Sequence, residues 1–442
     1  MYKRVIYWFK RDLRIDDNRG FYEACINSNE IIPVFIFIPD ILDKYKGQKE
    51  RMGFIVDCLH LLSNRIEEKG GSLYCFYGKP TEIITYLIEK YKPQAIFTNK
   101  AFSYTGEETE EDVIVRCREK AVDYLSYNDN FLCDIEKIPY KKVFSHFYKR
   151  WRENIICKIH PSPERINSPQ IDEPDLKKTL KRIKYEPNSI WSAKAAYSRL
   201  KDFDFINYEQ TRNRLDTDGT SKLSPYIRFG VISLRQIYKA ASTKGDRDSQ
   251  FIKELAWREF WYHIKLNFKG FKNIEFQEKR RNIKWLNNEE EIQAFIDAKT
   301  GYPIIDAAIR QLKAEGWMHN RARMIVASFL TKDLLSDWRI GEKFFREFLL
   351  DYDEVVNIGN WQWNASVGPD PRPFRIFNPV IQAEKFDPEG KFIRKYLPEL
   401  KKYPTRMLHN PLKYKLYYHK PIVNHLERVR YTKSIFFNKT HK

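Results

Sequence analysis

The run Val5-Ile6-Tyr7-Trp8-Phe9, followed at once by Lys10-Arg11-Asp12-Leu13-Arg14, decides the fold of the first part of the chain. Five consecutive β-branched, aliphatic and aromatic residues with no polar face predict a strand buried on both sides. Related runs recur at residues 31–37, 73–77 and 95–98, with a weaker fifth at 122–127. Helical patterns lie between them, around residues 51–69, 81–91 and 107–120. Such alternation predicts an α/β domain built on a doubly wound, Rossmann-like parallel sheet with right-handed crossovers. The turn after the first strand has no Gly-x-Gly-x-x-Gly. Lys10, Arg11 and Arg14 are too bulky there to bring a pyrophosphate against the backbone, which excludes an ordinary NAD-binding domain.

From about Cys133 to Ser189 the periodicity loosens. Pro139, Pro161, Pro163, Pro169, Pro174 and Pro187 punctuate a charged stretch that reads as a long surface connector. A mainly helical region follows from about Trp191. In its clearest part Pro303 opens a helix, Ile304, Ile305, Ala308, Ile309 and Leu312 recur at helical spacing, and Gly316 stops it. A second helix is expected over 319–332, and Phe344, Phe345, Phe348 and Leu349 continue the pattern. The expected organisation is residues 1–130 as an α/β domain, 131–190 as a linker and 191–442 as an all-α domain.

The chain has 442 residues, 42% of them hydrophobic and 31% charged, which excludes a disordered or membrane-embedded protein. No apolar run reaches the roughly 18 residues that span a bilayer, and the apolar run at the N-terminus is too short for a signal peptide. Membrane insertion and secretion are not expected. Six cysteines (Cys25, Cys58, Cys75, Cys117, Cys133 and Cys157) form no Cys-x-x-Cys and read as buried, reduced thiols. Against 59 Asp+Glu stand 78 Lys+Arg, a net charge of +19, and 15% of residues are aromatic. Cations that release counterions from phosphates, together with flat rings on which bases stack, point to a nucleic-acid partner.

Chemistry concentrates in three stretches. Thr220-Ser221-Lys222-Leu223-Ser224-Pro225 offers hydroxyls and backbone amides at a helix start, either a phosphate cradle or only a helix cap. In Glu254-Leu255-Ala256-Trp257-Arg258, Glu254 and Arg258 share a helix face beside Trp257, which suits either a site or a surface ion pair next to a core ring. In the third, Asp351 and Asp353 precede Asn357, Trp361 and Trp363. With no histidine or further carboxylates to complete a ligand set, a metal is not expected there. A flat polar ligand suits the amide and the two indoles better.

These stretches, with Trp8–Asn18, Thr300-Gly301-Tyr302-Pro303, Gly316-Trp317-Met318-His319-Asn320-Arg321 and Gly359-Asn360-Trp361-Gln362-Trp363, resemble the photolyase/cryptochrome flavoprotein family over nearly the whole chain. The resemblance implies an α/β antenna domain followed by an all-α FAD-binding domain, and light-driven repair of cyclobutane pyrimidine dimers in DNA. It would place FAD phosphates at Tyr208, Thr220, Ser221, Lys222, Leu223 and Ser224. Phe251, Glu254, Arg258, Asn320, Arg323, Asp351, Asp353 and Asn357 would surround the rest of the cofactor. Trp257 and Trp363 would wall a lesion pocket lined by Glu254, Asn320 and Met324, and Arg212, Arg321 and Gln382 would contact DNA. Trp361, Trp338 and Trp285 match the family's electron-carrying tryptophans, although three tryptophans in a bundle are ordinarily core packing.

Asn320 and Met324 stand where relatives that repair the (6-4) lesion carry histidine, and DASH-type cryptochromes usually have glutamine at the Met324 position. The resemblance therefore favours the cyclobutane substrate. A cryptochrome-type photoreceptor without repair is the alternative, to which the short basic tail is less suited. Phe251 replaces a frequent tryptophan and Lys222 a frequent arginine. An antenna pigment (folate, deazaflavin, FMN or a second FAD) would belong to the first domain, but residues 39–54 and 99–106 select none of them. The expected protein is monomeric and lies in the cytoplasm, wherever the DNA is.

Overall fold

The computed structural model describes residues 1–45, 47–185, 189–370 and 374–437, so Pro187 of the connector lies outside the described residues. Two compact units exchange segments along the sequence. Met1–Lys137, Trp151–Phe203 and Ser221–Asp248 form one, while Ile138–Arg150, Asp204–Thr220 and Ser249–Lys442 form the other.

The first unit is built on five parallel strands, β1 (Tyr2–Phe9), β2 (Ser28–Phe37), β3 (Tyr74–Tyr77), β4 (Ala95–Asn99) and β5 (Asp123–Tyr127), in the order β3-β2-β1-β4-β5. The central β1 is buried on both faces, as its unbroken apolar run requires. Ile6 and Trp8 pack with Ile32, Val34 and Phe76, while Tyr7 and Phe9 meet Phe21 on the other side. The three anticipated helices are Lys49–Glu67, Pro80–Tyr91 and Tyr104–Glu119. A further helix, Arg19–Ile26, escaped the periodicity because it is only two turns long. Asn18 starts it by accepting from Phe21 N at 3.1 Å.

The bulky turn after β1 is filled by buried charge. Asp12 accepts from Tyr7 Oη (2.5 Å), Lys10 N (2.9 Å) and Asn99 Nδ2 (2.7 Å). Arg14 pairs with Asp129 and donates to Asp17 O (2.7 Å) and Gly230 O (3.0 Å). Arg235 bridges Asp17 (3.0 Å) and Asp129 (2.5 Å), and the Ser233 hydroxyl donates to Asp17. All of these side chains are buried. Burial alone would raise Asp129, but Arg14 and Arg235 together hold its carboxyl below the usual range.

Part of the connector is pinned along this unit by backbone hydrogen bonds from Ile31 N to Asn167 O (2.9 Å), Ile166 N to Lys69 O (2.8 Å) and Cys75 N to Pro174 O (2.8 Å). It is not all irregular, since it contains the helices Phe144–Glu153 and Leu176–Ile183. All six cysteines are free, but Cys157 is exposed and Cys25 half-buried, so burial holds only for the other four. No helix among the described residues is long and apolar enough to cross a membrane.

The second unit is helical. Pro303–Glu315 begins on its proline and ends at Gly316 with φ +62°, as its spacing indicated. The next helix is α-helical only over Asn320–Ser328 and continues as a π-turn, Phe329–Asp333. Before the proline, Thr300 N and Oγ1 donate to Asp306 Oδ1 (2.9 and 2.7 Å), and Tyr302 Oη donates to Val423 O (2.9 Å). This motif therefore secures the C-terminal chain.

Replacing Arg235 by leucine leaves Asp17 and Asp129 under-compensated. Urea unfolding should show a loss of ~3–5 kcal/mol, seen as a lower midpoint at unchanged slope.

Candidate active site

The helix Gln250–Asn267 carries the first group of expected residues. Glu254 Oε1 accepts from Arg212 Nη1 and from Gln250 Nε2, both at 2.6 Å. Arg212 also lies 5.7 Å from the Tyr208 ring, which in turn meets Phe251 edge-on at 5.2 Å. Arg321 grips Asn213 Oδ1 with Nη2 (2.6 Å) and Nε (3.2 Å), and stacks over Phe386 at 4.4 Å. Burial, reinforced by Arg212, lowers Arg321 to about 10, which leaves it cationic at neutral pH. The sequence positions 208, 212, 251, 254 and 321 are thus brought together.

Trp257 is half-buried, and one face is covered by Phe144, parallel to within 4° at 3.8 Å. Tyr148 continues the stack behind Phe144 at 5.7 Å. Neither ring was anticipated, because both lie in the stretch read as connector. Asn320, the first residue of its helix, reaches Met324 Sδ at 3.9 Å. The neighbouring His319 is buried and uses Nδ1 to accept the Arg321 amide (3.0 Å). Trp363 is half-buried under Arg375 at 4.4 Å, and Gln382 has a buried Oε1 without a partner.

Around the helix Glu354–Asn364 a second group assembles. Asp353 caps it through Val356 N (3.2 Å) and accepts from Tyr262 Oη (2.5 Å), over whose ring Arg258 lies at 5.3 Å. Arg323 joins Met318 O and Asp351 Oδ2, both at 2.8 Å. Asp351 and Asn357 are each 8% exposed. Asn357 Nδ2 donates to both the backbone oxygen and Oε1 of Glu342 at 3.2 Å. Glu342 also accepts from Tyr352 Oη (2.8 Å) and pairs with Arg346. Burial, then the Glu342 charge, pushes the Tyr352 phenol far up and keeps it a donor. The Glu342–Arg346 spacing of four residues was the available signal for this buried carboxylate.

The tryptophans run from core to surface. Trp361 is 1% exposed with Nε1 unpartnered, Trp338 is 0% exposed with Nε1 on Glu275 Oε1 at 3.2 Å, and Trp285 is half-buried. A Cβ at Gly341 would fall inside the Trp361 ring, and one at Gly359 inside Trp261, so both glycines are required by close approach. Gln362 holds the 271–276 loop through Phe271 O (2.9 Å), Ile274 O (3.2 Å) and Phe276 N (3.0 Å).

Thr220 belongs to this unit, whereas Ser221, Lys222, Leu223 and Ser224 belong to the first. Lys222 has φ +51°, and Ser221 Oγ accepts from Leu223 N (3.4 Å). The cap position of the short helix Ser224–Arg228 is Leu223, with no side-chain cap, so the hydroxyls of this run do not act as that helix's N-cap. Among the described residues no group of three His, Cys, Asp or Glu is arranged to hold a metal.

The family model described as DNA photolyase matches residues 5–169, and that described as the FAD binding domain of DNA photolyase matches residues 251–437. A deoxyribodipyrimidine photo-lyase of Synechococcus sp. is 34% identical, over 98% of this chain and 96% of the relative. The chain belongs to the DNA photolyase family. The crystal structure of an archaeal photolyase from Sulfolobus tokodaii, with two FAD molecules, superposes with a TM-score of 0.89 at 32% identity. It covers 98% of this chain and 99% of that one. A cryptochrome of Synechocystis sp. superposes at 0.87 with 24% identity, covering 98% and 99%, and shares the fold.

As a photolyase-family enzyme the chain takes FAD, and its residues fit that cofactor. Asp351 Oδ1 is a buried acceptor without a partner, Asn357 offers a buried neutral amide, and Arg258 and Arg323 supply cations close by. Glu342→Leu strands Arg346, Tyr352 and Asn357 together. Urea unfolding of the FAD-loaded protein is expected to show a loss of ~3–5 kcal/mol, with FAD released at lower denaturant than in the wild type.

Proposed function

We propose that this enzyme repairs cyclobutane pyrimidine dimers in DNA under blue light, with residues 1–130 as antenna domain, 131–190 as linker and 191–442 as catalytic domain. Bound and reduced, FAD supplies the photoexcited electron that opens the cyclobutane ring. The chain's own residues bring the lesion to it. Arg212, Arg321 and Gln382 hold the phosphate backbone without reading sequence. Extruding a base costs a few kcal/mol, less at a damaged site. Stacking on Trp257 and Trp363, ~1–3 kcal/mol per base, offsets that cost. Phe144 presses on one face of Trp257 and fixes the plane of the other. Glu254, anchored by Arg212, accepts hydrogen bonds from the dimer.

The observation that carries the cyclobutane reading is the Asn320–Met324 contact at 3.9 Å. These neutral groups stand where (6-4) chemistry needs an imidazole for proton transfer, and the adjacent His319 is turned inward as a helix cap.

On the cofactor side, Tyr208 and Thr220 to Ser224 would hold phosphates. Phe251, Glu254, Arg258, Asn320, Arg323, Asp351 and Asp353 surround the remainder. Asn357 would offer the flavin a neutral amide that carries no ionisable proton, and Glu342 keeps that amide oriented. Trp285, Trp338 and Trp361 offer a path for electrons from the surface inward. A second pigment, whether folate, deazaflavin, FMN or FAD, would sit in the antenna domain. The DNA partner places a monomeric enzyme in the compartment that holds the genome.

Reduced, FAD-loaded protein is mixed with a dimer-containing oligonucleotide, and restored pyrimidines are counted by chromatography. Dimers should disappear in blue light and persist in the dark. Persistence in the light would overturn repair in favour of a photoreceptor. Trp257→Ala should weaken lesion binding about tenfold, within the range expected for one stacked base. Trp338→Phe should slow light-driven reduction of the oxidised flavin while sparing repair by enzyme reduced beforehand.

A further inference from the structure

Glu275 is buried in the helical unit, and no step of the repair proposed above uses it. Its Oε1 accepts from Trp338 Nε1 at 3.2 Å and lies 2.9 Å from Arg339 Nη1. Among the described residues, Trp338 alone of the three tryptophans of the electron path donates its indole N–H to a carboxylate. Trp361 Nε1 is buried without a partner, and Trp285 is half-buried beside Phe436 at 6.1 Å.

Several elements combine to make this contact. Trp338 opens the helix Trp338–Phe348, which Asp337 caps by accepting from Arg339 N at 2.9 Å. The Trp361 ring packs on Gly341, in the first turn of that helix, so closely that a Cβ there would fall inside it. Glu275 belongs to the 271–276 loop, which Gln362 grips at Phe271 O, Ile274 O and Phe276 N. The residue next to Trp361 in sequence thus fixes the loop whose carboxylate meets Trp338.

Charge sets Trp338 apart from its neighbours. Arg339 lies over its ring at 4.6 Å, and a cation there opposes removal of an electron from the indole. Arg339 is itself held by two carboxylates, Glu275 and Asp337 (3.0 Å), so this cluster carries a net negative charge. Trp338 is 0% and Glu275 6% exposed, so water screens the pair weakly. A negative charge hydrogen-bonded to the indole N–H favours the positively charged, oxidised ring over the neutral one. A neutral acceptor would satisfy the N–H without creating that preference.

We propose that Glu275 is a positioning residue for electron transfer, making Trp338 easier to oxidise than Trp361 so that positive charge moves outward. This rests on the tryptophan path proposed above. Once Trp361 has lost one electron to its oxidant, light-excited oxidised FAD, one electron passes from Trp338 to Trp361. Trp361 is thereby reduced to its starting form and Trp338 is oxidised to a radical cation. The proton stays on Nε1, in a strengthened hydrogen bond to Oε1. One electron from Trp285 restores Trp338, and a thiolate in solution, oxidised by one electron, restores Trp285.

The test uses full-length, FAD-loaded protein with the flavin oxidised, in a Trp285→Phe background. There the positive charge stops at Trp338 and is lost by returning through Trp361. Its lifetime after a light flash therefore rises with the preference for Trp338. Adding Glu275→Gln should shorten that lifetime about tenfold or more, the scale of one hydrogen bond to a charged group. An unchanged lifetime overturns the proposal, because a bond that only holds the ring in place survives exchange of carboxylate for amide. Ultraviolet resonance Raman spectra give a readout that needs no flavin chemistry. The difference between wild type and Trp338→Phe should show a strongly hydrogen-bonded indole N–H, weakened in Glu275→Gln. A free N–H in the wild type overturns the assignment. If Trp338→Phe leaves the flash signal intact, the tryptophan path is wrong and the proposal falls with it. If Trp338→Phe removes the signal and Glu275→Gln leaves its lifetime unaltered, only the role of Glu275 falls.

Discussion

Asp17 and Asp129 are almost completely removed from water, and each must be met by Arg14, Arg235 or both. That requirement fixes the backbone of the first unit where it would otherwise be free. It joins the turn after β1, the end of β5 and the start of the Leu234–Lys244 helix, three places far apart in sequence. Breaking a buried pair is much more costly than never having formed it. The turn is therefore held in one conformation, and the bulky residues that bar a pyrophosphate there are the ones that build the network.

The same constraint governs the candidate site in the helical unit. Glu342 is 3% exposed and is met by Arg346, Tyr352 and Asn357. Asp351 is met by Arg323 on one oxygen and keeps the other without a partner. Groups locked in this way lose little further freedom when a ligand arrives, so the cost of ordering falls on the fold rather than on binding. The stack of Tyr148, Phe144 and Trp257 works by packing rather than charge, but to the same end.

Motifs that single out the family turn out to have two kinds of physical role. Thr300 to Pro303 and Gln362 secure neighbouring chain through hydrogen bonds to Asp306, Val423 and the 271–276 loop. Gly359 makes room for the Trp261 indole. Asn357, Arg323 and Glu254 present polar atoms around which a ligand can be bound. Sequence pattern alone does not separate these roles, because a residue fixed by packing and one fixed by chemistry are equally constrained.

Five parallel strands, the Pro303–Glu315 helix with its Gly316 cap and the family are legible in the residues alone, since burial on two faces, helix caps and motif order are local properties. The Arg19–Ile26 helix is too short for periodicity to register, and Phe144 and Tyr148 lie in a stretch that reads as connector because Trp257, on which Phe144 stacks, is more than a hundred residues away. That Glu254 is met by Arg212, that Asn357 hangs on Glu342, and that the run before Ser224 is not a helix cap emerge only once the chain is folded. The physical reason is that hydrogen bonds and ion pairs are chosen by distance in space. A linear pattern specifies which groups need partners, and only the folded chain specifies which partners come within reach.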